Sequence, residues 1–197
     1  MHKSIILFAA LPLLAGCVTS RWTDTPRSAS EELLLSMATD RAAEAIAARM
    51  PAGGKAYLDG SNFDSPDSKY AIGTIRDALL RHGETLVAKN DADMVIEVRS
   101  GVLATDDNET LIGTPSFGAP VPLAGSFSFP KIALYDKISQ RGVAKFAATA
   151  IDPKTGALVA SSTPQYAYSH QTAFTVLLFF SWSNQDGTPK EDADPKE

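Results

Sequence analysis

The sequence has few of the residues from which enzymatic sites are usually built. Its 197 residues include one cysteine and three histidines. Neither an internal disulfide nor a spaced Cys/His zinc pattern can be formed from this set. The chain also lacks a Gly-x-Ser-x-Gly nucleophile elbow and a phosphate-binding glycine motif. We therefore expect no cofactor beyond covalent lipid, no metal and no enzymatic activity.

Positive charge is also scarce. Eighteen Lys and Arg face 23 Asp and Glu, which gives a formal net charge of -5. Nucleic acids and anionic head groups select basic surfaces, so the composition argues against both as partners. A hydrophobic content of 44% is nevertheless sufficient for a folded core.

Long hydrophobic runs are absent as well. The N-terminal run Ile5 to Leu14 has ten residues, whereas a transmembrane helix needs about 20. Lys3 precedes the run and small residues follow it, which is the layout of a secretory signal peptide. The segment ending in Gly16 and Cys17 resembles the lipobox of bacterial lipoprotein precursors. That resemblance implies cleavage after Gly16 and acylation of Cys17.

The predicted organisation follows from this motif. Residues 1–16 form a cleaved lipoprotein signal peptide, and residues 17–27 form the lipidated cysteine and a polar tether. Residues 28–185 form a single α+β domain, and residues 186–197 form a disordered tail. Val18 follows the cysteine, where aspartate is the inner-membrane retention signal of enteric bacteria. We therefore expect an outer-membrane lipoprotein that faces the periplasm and contacts the bilayer through acylated Cys17.

Local patterns predict the elements of the domain. Ser28 and Glu31 have capping-box spacing and begin a helix that runs to Met50. A second helix is predicted from an N-cap at Ser65 to a C-cap at Gly83. Strands are predicted at 55–59, 85–87, 94–103, 131–138, 142–151 and 157–162, with a turn at 152–156 and a long loop at 106–129. The expected fold class is α+β, with two helices packed on one face of a largely antiparallel sheet.

Two groups of residues are weak candidates for ligand or metal binding. Asp106, Asp107 and Glu109 lie in the densest acidic cluster, and carboxylates on a loop could bind a hard cation. Their consecutive positions do not have the spacing of a calcium loop. His170 is the other candidate, although no nucleophile motif accompanies it. His82 ends a helix, where its charge would complement the dipole.

The apolar run at 173–182 has two interpretations. Its β-branched and aromatic content favours a buried strand. Alternatively, Phe179, Phe180 and Trp182 form an exposed patch that dips into a membrane or docks a partner.

Three blocks, 23–36, 92–101 and 134–146, resemble a family of bacterial lipoproteins with a domain of unknown function. That resemblance implies no catalytic residues. Arg76 to Leu79 and Ala92 to Val95 are distantly similar to periplasmic lipoproteins of the curli-secretion and penicillin-binding-protein-activator type. This similarity implies binding to other envelope proteins rather than turnover.

The leading hypothesis is therefore a membrane-anchored lipoprotein whose domain is a binding or assembly module of the cell envelope, with an envelope protein as partner. The alternative is a ligand-binding or hydrolytic periplasmic lipoprotein that uses His170 and the acidic segment. A part of an oligomeric pore or secretion apparatus is a third hypothesis.

Overall fold

The computed structural model describes residues 27–121 and 125–186. Several predicted segments lie outside the described residues: the signal peptide with Gly16, the tether from Cys17 to residue 26, and the tail from residue 187. The α-helices are α1 (Ala29–Ala47) and α2 (Ser68–His82), and a 3-10 helix spans Lys89–Asp91. The strands are β1 (Lys55–Asp59), β2 (Thr85–Leu86), β3 (Met94–Thr114), β4 (Phe117–Val121), β5 (Gly125–Phe129), β6 (Ile132–Ile151), β7 (Leu158–Ser161), β8 (Gln165–Val176) and β9 (Phe180–Gln185).

The predicted fold class is wrong, because the structure is mostly β. Seven strands form one curled sheet in the order β2-β1-β3-β6-β8-β9, with β7 also paired to β6. The sheet is mixed, since β1 runs parallel to both β2 and β3 while the other pairs are antiparallel. Strands β4 and β5 form a second, two-stranded sheet.

The long loop predicted at 106–129 is also wrong. Strand β3 continues to Thr114 and pairs along its whole length with β6, which is one strand rather than two. Asp, Glu and Asn have low strand propensity. Favourable contacts with the side chains of a paired strand override that propensity. Asp106 lies opposite Arg141 in the register, and their side chains form an ion pair at 2.7 Å.

The start of α1 confirms the predicted capping box. The Glu31 backbone N–H donates to Ser28 Oγ at 3.2 Å, and the Ser28 N–H donates to the Glu31 carboxylate at 2.6 Å. The backbone hydrogen bond from Ser28 lowers the pKa of Glu31. The helix ends at Ala47, three residues before the predicted end.

The start of α2 differs from the prediction. Its N-cap residue is Asp67 rather than Ser65, and the Asp67 side chain makes no capping hydrogen bond. The carboxylate is instead held by both terminal nitrogens of Arg27, at 2.5 and 2.7 Å. The predicted C-cap is confirmed, because Gly83 adopts the left-handed conformation with φ 107°.

The core lies between the helices and the middle of the sheet, and it is rich in alanine. Small side chains allow α1 to approach the strands closely at Gly142, where a Cβ would lie 2.5 Å from the Leu34 carbonyl oxygen. The buried Ser169 hydroxyl donates to that same oxygen at 2.6 Å. Phe63 and Phe146 fill the wider part of the core with an edge-to-face contact, their ring centroids 4.9 Å apart.

Candidate functional site

The sheet continues beyond Gly142 as a four-stranded extension, here called the distal arm. It consists of residues 106–114 of β3, 132–141 of β6, 170–176 of β8 and the whole of β9. Because side chains alternate between the two sides of a strand, each strand of the arm contributes to two faces. These two faces continue from the arm into the part of the sheet that covers the core. The face toward the core carries Gly142 and Ser169, and the opposite face, along the arm and the rest of β6 and β8, is called the outer face.

The outer face carries a regular arrangement of cations and aromatic rings, here called the outer-face ladder. It comprises Lys137, Arg141 and Lys145 of β6, Tyr166, Tyr168 and Phe174 of β8, and Trp182 of β9.

Each cation of the ladder lies over a ring of the neighbouring strand. Lys145 Nζ lies 5.1 Å from the Tyr166 ring centroid, and the Arg141 guanidinium lies 5.4 Å from that of Tyr168. These cation–π contacts hold the long cationic side chains against the sheet.

The end of the ladder runs across three strands. Lys137 Nζ is 5.8 Å from the Phe174 centroid, and Phe174 stacks on Trp182 with centroids 5.3 Å apart. Tyr166 and Trp182 keep 56% and 53% of their surface exposed. The ladder is therefore an ordered face that is still accessible to a partner.

The structure separates the acidic candidates. Asp106 lies on the outer face, whereas Asp107 and Glu109 point to the other face because the side chains alternate. Glu109 is bound by Lys131 at 2.5 Å, and Lys131 also binds the buried Asp136 at 2.5 Å. The hydrogen bonds that Lys131 donates to Asp136 and Glu109 raise the pKa of Lys131. Among residues 27–121 and 125–186, no group of His, Cys, Asp and Glu side chains could hold a metal ion.

His170 lies in the same cross-strand row as Asp106, with Arg141 between them. Its Nδ1 is 3.5 Å from the Asp186 carboxylate, which also accepts from Arg41 of α1 at 3.3 Å. Desolvation opposes ionisation of Asp186, but the hydrogen bonds from Arg41 and His170 lower its pKa overall. Asp186 thus ties α1 to the sheet edge where β9 ends.

His82 is the last residue of α2, as the sequence predicts. Its Nδ1 lies 3.5 Å from the carboxylate of Glu84, whose side chain is fully buried. The sequence pattern did not indicate this buried acid.

The interpretation of 173–182 as a buried strand is wrong. Residues 177–179 form the turn between β8 and β9, and the large side chains around it are exposed. The alternative, an exposed apolar patch, describes the structure. The outer-face ladder was missed, although Tyr166, Tyr168 and His170 alternate with small residues at the period of two that a strand requires.

The described chain thus has a predominantly β fold with an open cationic and aromatic sheet face. The model of a family of unknown function, DUF6655, matches residues 11–186, and the chain belongs to that family. No curated protein matches the sequence. Neither helix of the described chain is long and apolar enough to cross a membrane.

Proposed function

We propose that the protein is a bacterial lipoprotein, cleaved after Gly16 and acylated on Cys17, which faces the periplasm from the outer membrane. The lipobox-like segment supports acylation, and Val18 supports the choice of membrane. One acyl chain alone gives only marginal membrane binding, whereas two or three acyl chains on the same cysteine hold a protein firmly. Mass spectrometry of the N-terminal peptide, compared between the protein and its Cys17→Ser variant, tests the anchor. Fractionation of the two membranes tests the location.

The domain acts as a binding or assembly module, without catalysis of its own, through the outer-face ladder. Exposure of this ladder is the observation that carries the proposal. Tyr, Trp and Arg are the residues that most often dominate protein–protein binding energy. Here they share one face and are held in position by cation–π contacts. This composition favours a protein as the partner, and the proposed location makes that partner an envelope protein.

The distant similarity to curli-secretion and penicillin-binding-protein-activator lipoproteins supports the same proposal. Proteins of that type act by binding other envelope components. The proposal for this chain is a comparable assembly role, with the partner docked on the sheet.

Crosslinking in intact cells tests the docking face. The variant Tyr166→Ala/Tyr168→Ala removes two exposed rings of the ladder, and we expect it to lose the crosslinked partner while remaining acylated. Leu158→Ala is the matched control, since Leu158 is 66% exposed on β7, outside the ladder. Unchanged thermal unfolding of both variants establishes that folding is intact. Equal recovery of a partner by the double variant and the control would contradict the proposal, as would failure to recover any specific partner from detergent-solubilised envelopes.

A ligand-binding or hydrolytic role is the second candidate, favoured by the row that joins Asp106, Arg141 and His170 on the outer face. Screening the purified protein and His170→Ala against ester, amide and phosphate substrates tests it. Turnover lost in the variant would support this role over the docking role.

A further inference from the structure

The end of the distal arm exposes a group of large apolar side chains, here called the apolar tip. Its members are Ile112, Ile132, Leu134, Leu177, Leu178, Phe179 and Phe180. Phe179 is 84% exposed and Phe180 is 65% exposed. Single apolar residues on a surface are ordinary, but a contiguous patch of this kind marks an interaction site.

The turn that carries Phe179 has an unfavourable backbone. Leu177 and Leu178 adopt positive φ values of 49° and 68°. This conformation is routine for Gly and Asn, whereas other residues adopt it at a cost of about 1–2 kcal/mol. A hairpin turn with positive φ at both positions would be more stable with Asn-Gly there. Two exposed leucines at a strained site indicate that their apolar side chains have a use.

The tip also lacks charge. No Asp, Glu, Lys or Arg occurs in residues 110–130 or 171–185, in a chain with 21% charged residues. The adjacent Lys131 is ion-paired with both Glu109 and Asp136. A surface that enters hydrocarbon must exclude charge, whereas a surface that contacts water does not need to.

The described chain begins on the side of the core that faces the tip. Gly54, which follows α1, lies against Met94 at the start of β3, and Leu34 near the start of α1 lies against Gly142 in the middle of β6. Helix α1 therefore runs away from the tip, and its N-terminus points toward it.

Distances along the chain place the lipid anchor within reach of the tip. Arg27 lies about 10 Å beyond Leu34 at 1.5 Å per helical residue. Leu134 lies about 26 Å beyond Gly142 at 3.3 Å per strand residue. The remaining gap of about 16 Å is shorter than the reach of roughly 35 Å available to ten extended residues from Cys17 to Arg27.

We propose that the apolar tip inserts into the bilayer in which acylated Cys17 is anchored. This inference rests on the proposed lipoprotein function. Two attachments at one end of the molecule hold the distal arm upright on the membrane. Trp182 and Phe174, at the end of the ladder nearest the tip, then lie close to the membrane surface, where aromatic side chains are favoured. A bilayer fits the tip better than a second copy does, because the tether restricts the tip to the neighbourhood of its own membrane.

The test uses the full mature, acylated protein bound to phosphatidylethanolamine–phosphatidylglycerol vesicles. With Cys17 acylated, Phe179→Cys provides the only reactive thiol, which is labelled with an environment-sensitive fluorophore. Leu177→Cys is a second tip variant. Leu158→Cys is the control, because Leu158 is comparably exposed on β7 and pairs near the end of β6 opposite the tip.

We expect a blue-shifted emission and strong quenching by brominated acyl chains for both tip labels, with neither effect at the control position. Acylation and flotation with the vesicles are checked first, since their failure would refute the proposed lipoprotein and not the tip alone. If the bound, acylated protein keeps both tip labels in water, the insertion is refuted and the anchor is not. A tip label shielded from water but not quenched by brominated lipid, together with crosslinks between copies, would overturn insertion in favour of self-association.

Discussion

Replacement of Gly142 by alanine tests the closest contact between α1 and the sheet. A Cβ at this position would lie 2.5 Å from the Leu34 carbonyl oxygen and 2.5 Å from Ser169 Oγ. The first atom belongs to helix backbone, and the second is completely buried. Neither can move without displacing α1 or breaking the Ser169–Leu34 hydrogen bond.

The expected loss combines two effects. Overpacking of a dense core costs about 1–3 kcal/mol, and loss of a buried hydrogen bond costs about 1 kcal/mol. We therefore expect Gly142→Ala to lower the free energy of unfolding by about 3 kcal/mol, which corresponds to a midpoint shift of roughly 1–2 M urea. Urea unfolding of the non-acylated Cys17→Ser protein measures it.

Gly73→Ala is the matched control. Gly73 lies exposed within α2, and a Cβ there would meet no atom within 4 Å. Because alanine favours helix over glycine, this variant should gain up to about 1 kcal/mol. Opposite shifts for the two variants are expected. If Gly142→Ala unfolds at the same urea concentration as the parent protein, α1 does not lie this close to β6.

Two further results are expected. Asp67→Asn should lower the free energy of unfolding by up to about 1 kcal/mol at neutral pH, as expected for an ion pair that keeps about a third of its surface in water. The Arg27 hydrogen bond lowers the folded-state pKa of Asp67. The parent protein is therefore more stable than the variant by the full amount above the unfolded pKa of about 3.9, and this difference in stability disappears as the pH falls through the lower folded pKa. Unfolding curves between pH 2 and 7 check this, and an advantage that persists at pH 2 would contradict it. Phe146→Ala should cost about 3–5 kcal/mol by leaving a cavity beside Phe63, whereas Leu158→Ala, at an exposed site, should change the thermal midpoint little.

Features set by neighbouring residues could be predicted from the sequence. The capping box of α1 and the C-cap at Gly83 each depend on hydrogen bonds within one helical turn. The turn after β6 is of the same kind, because Gly156 donates to the Asp152 carbonyl at 2.8 Å. Backbone hydrogen bonds from Lys154 and Thr155 also lower the pKa of Asp152.

Features set by distant residues could not be predicted in this way. The N-cap of α2 moved because Arg27, 40 residues earlier, takes the carboxylate of Asp67. The acidic segment around Asp106 became strand because Arg141, 35 residues later, pairs with it. A local pattern contains no information about either partner.

The sequence by itself determined the scarcity of catalytic and metal-binding residues, the net negative charge and the uncharged stretches at 110–130 and 171–185. It also contains the lipobox-like segment from which the membrane anchor is proposed. Only the tertiary structure decided that β3 and β6 pair over their full length, that the apolar run at 173–182 divides into two strand ends and an exposed turn, and that the cations and rings share one face. The physical reason is strand register: alternation along one strand defines two faces, but pairing with other strands decides which is buried and which residues become neighbours.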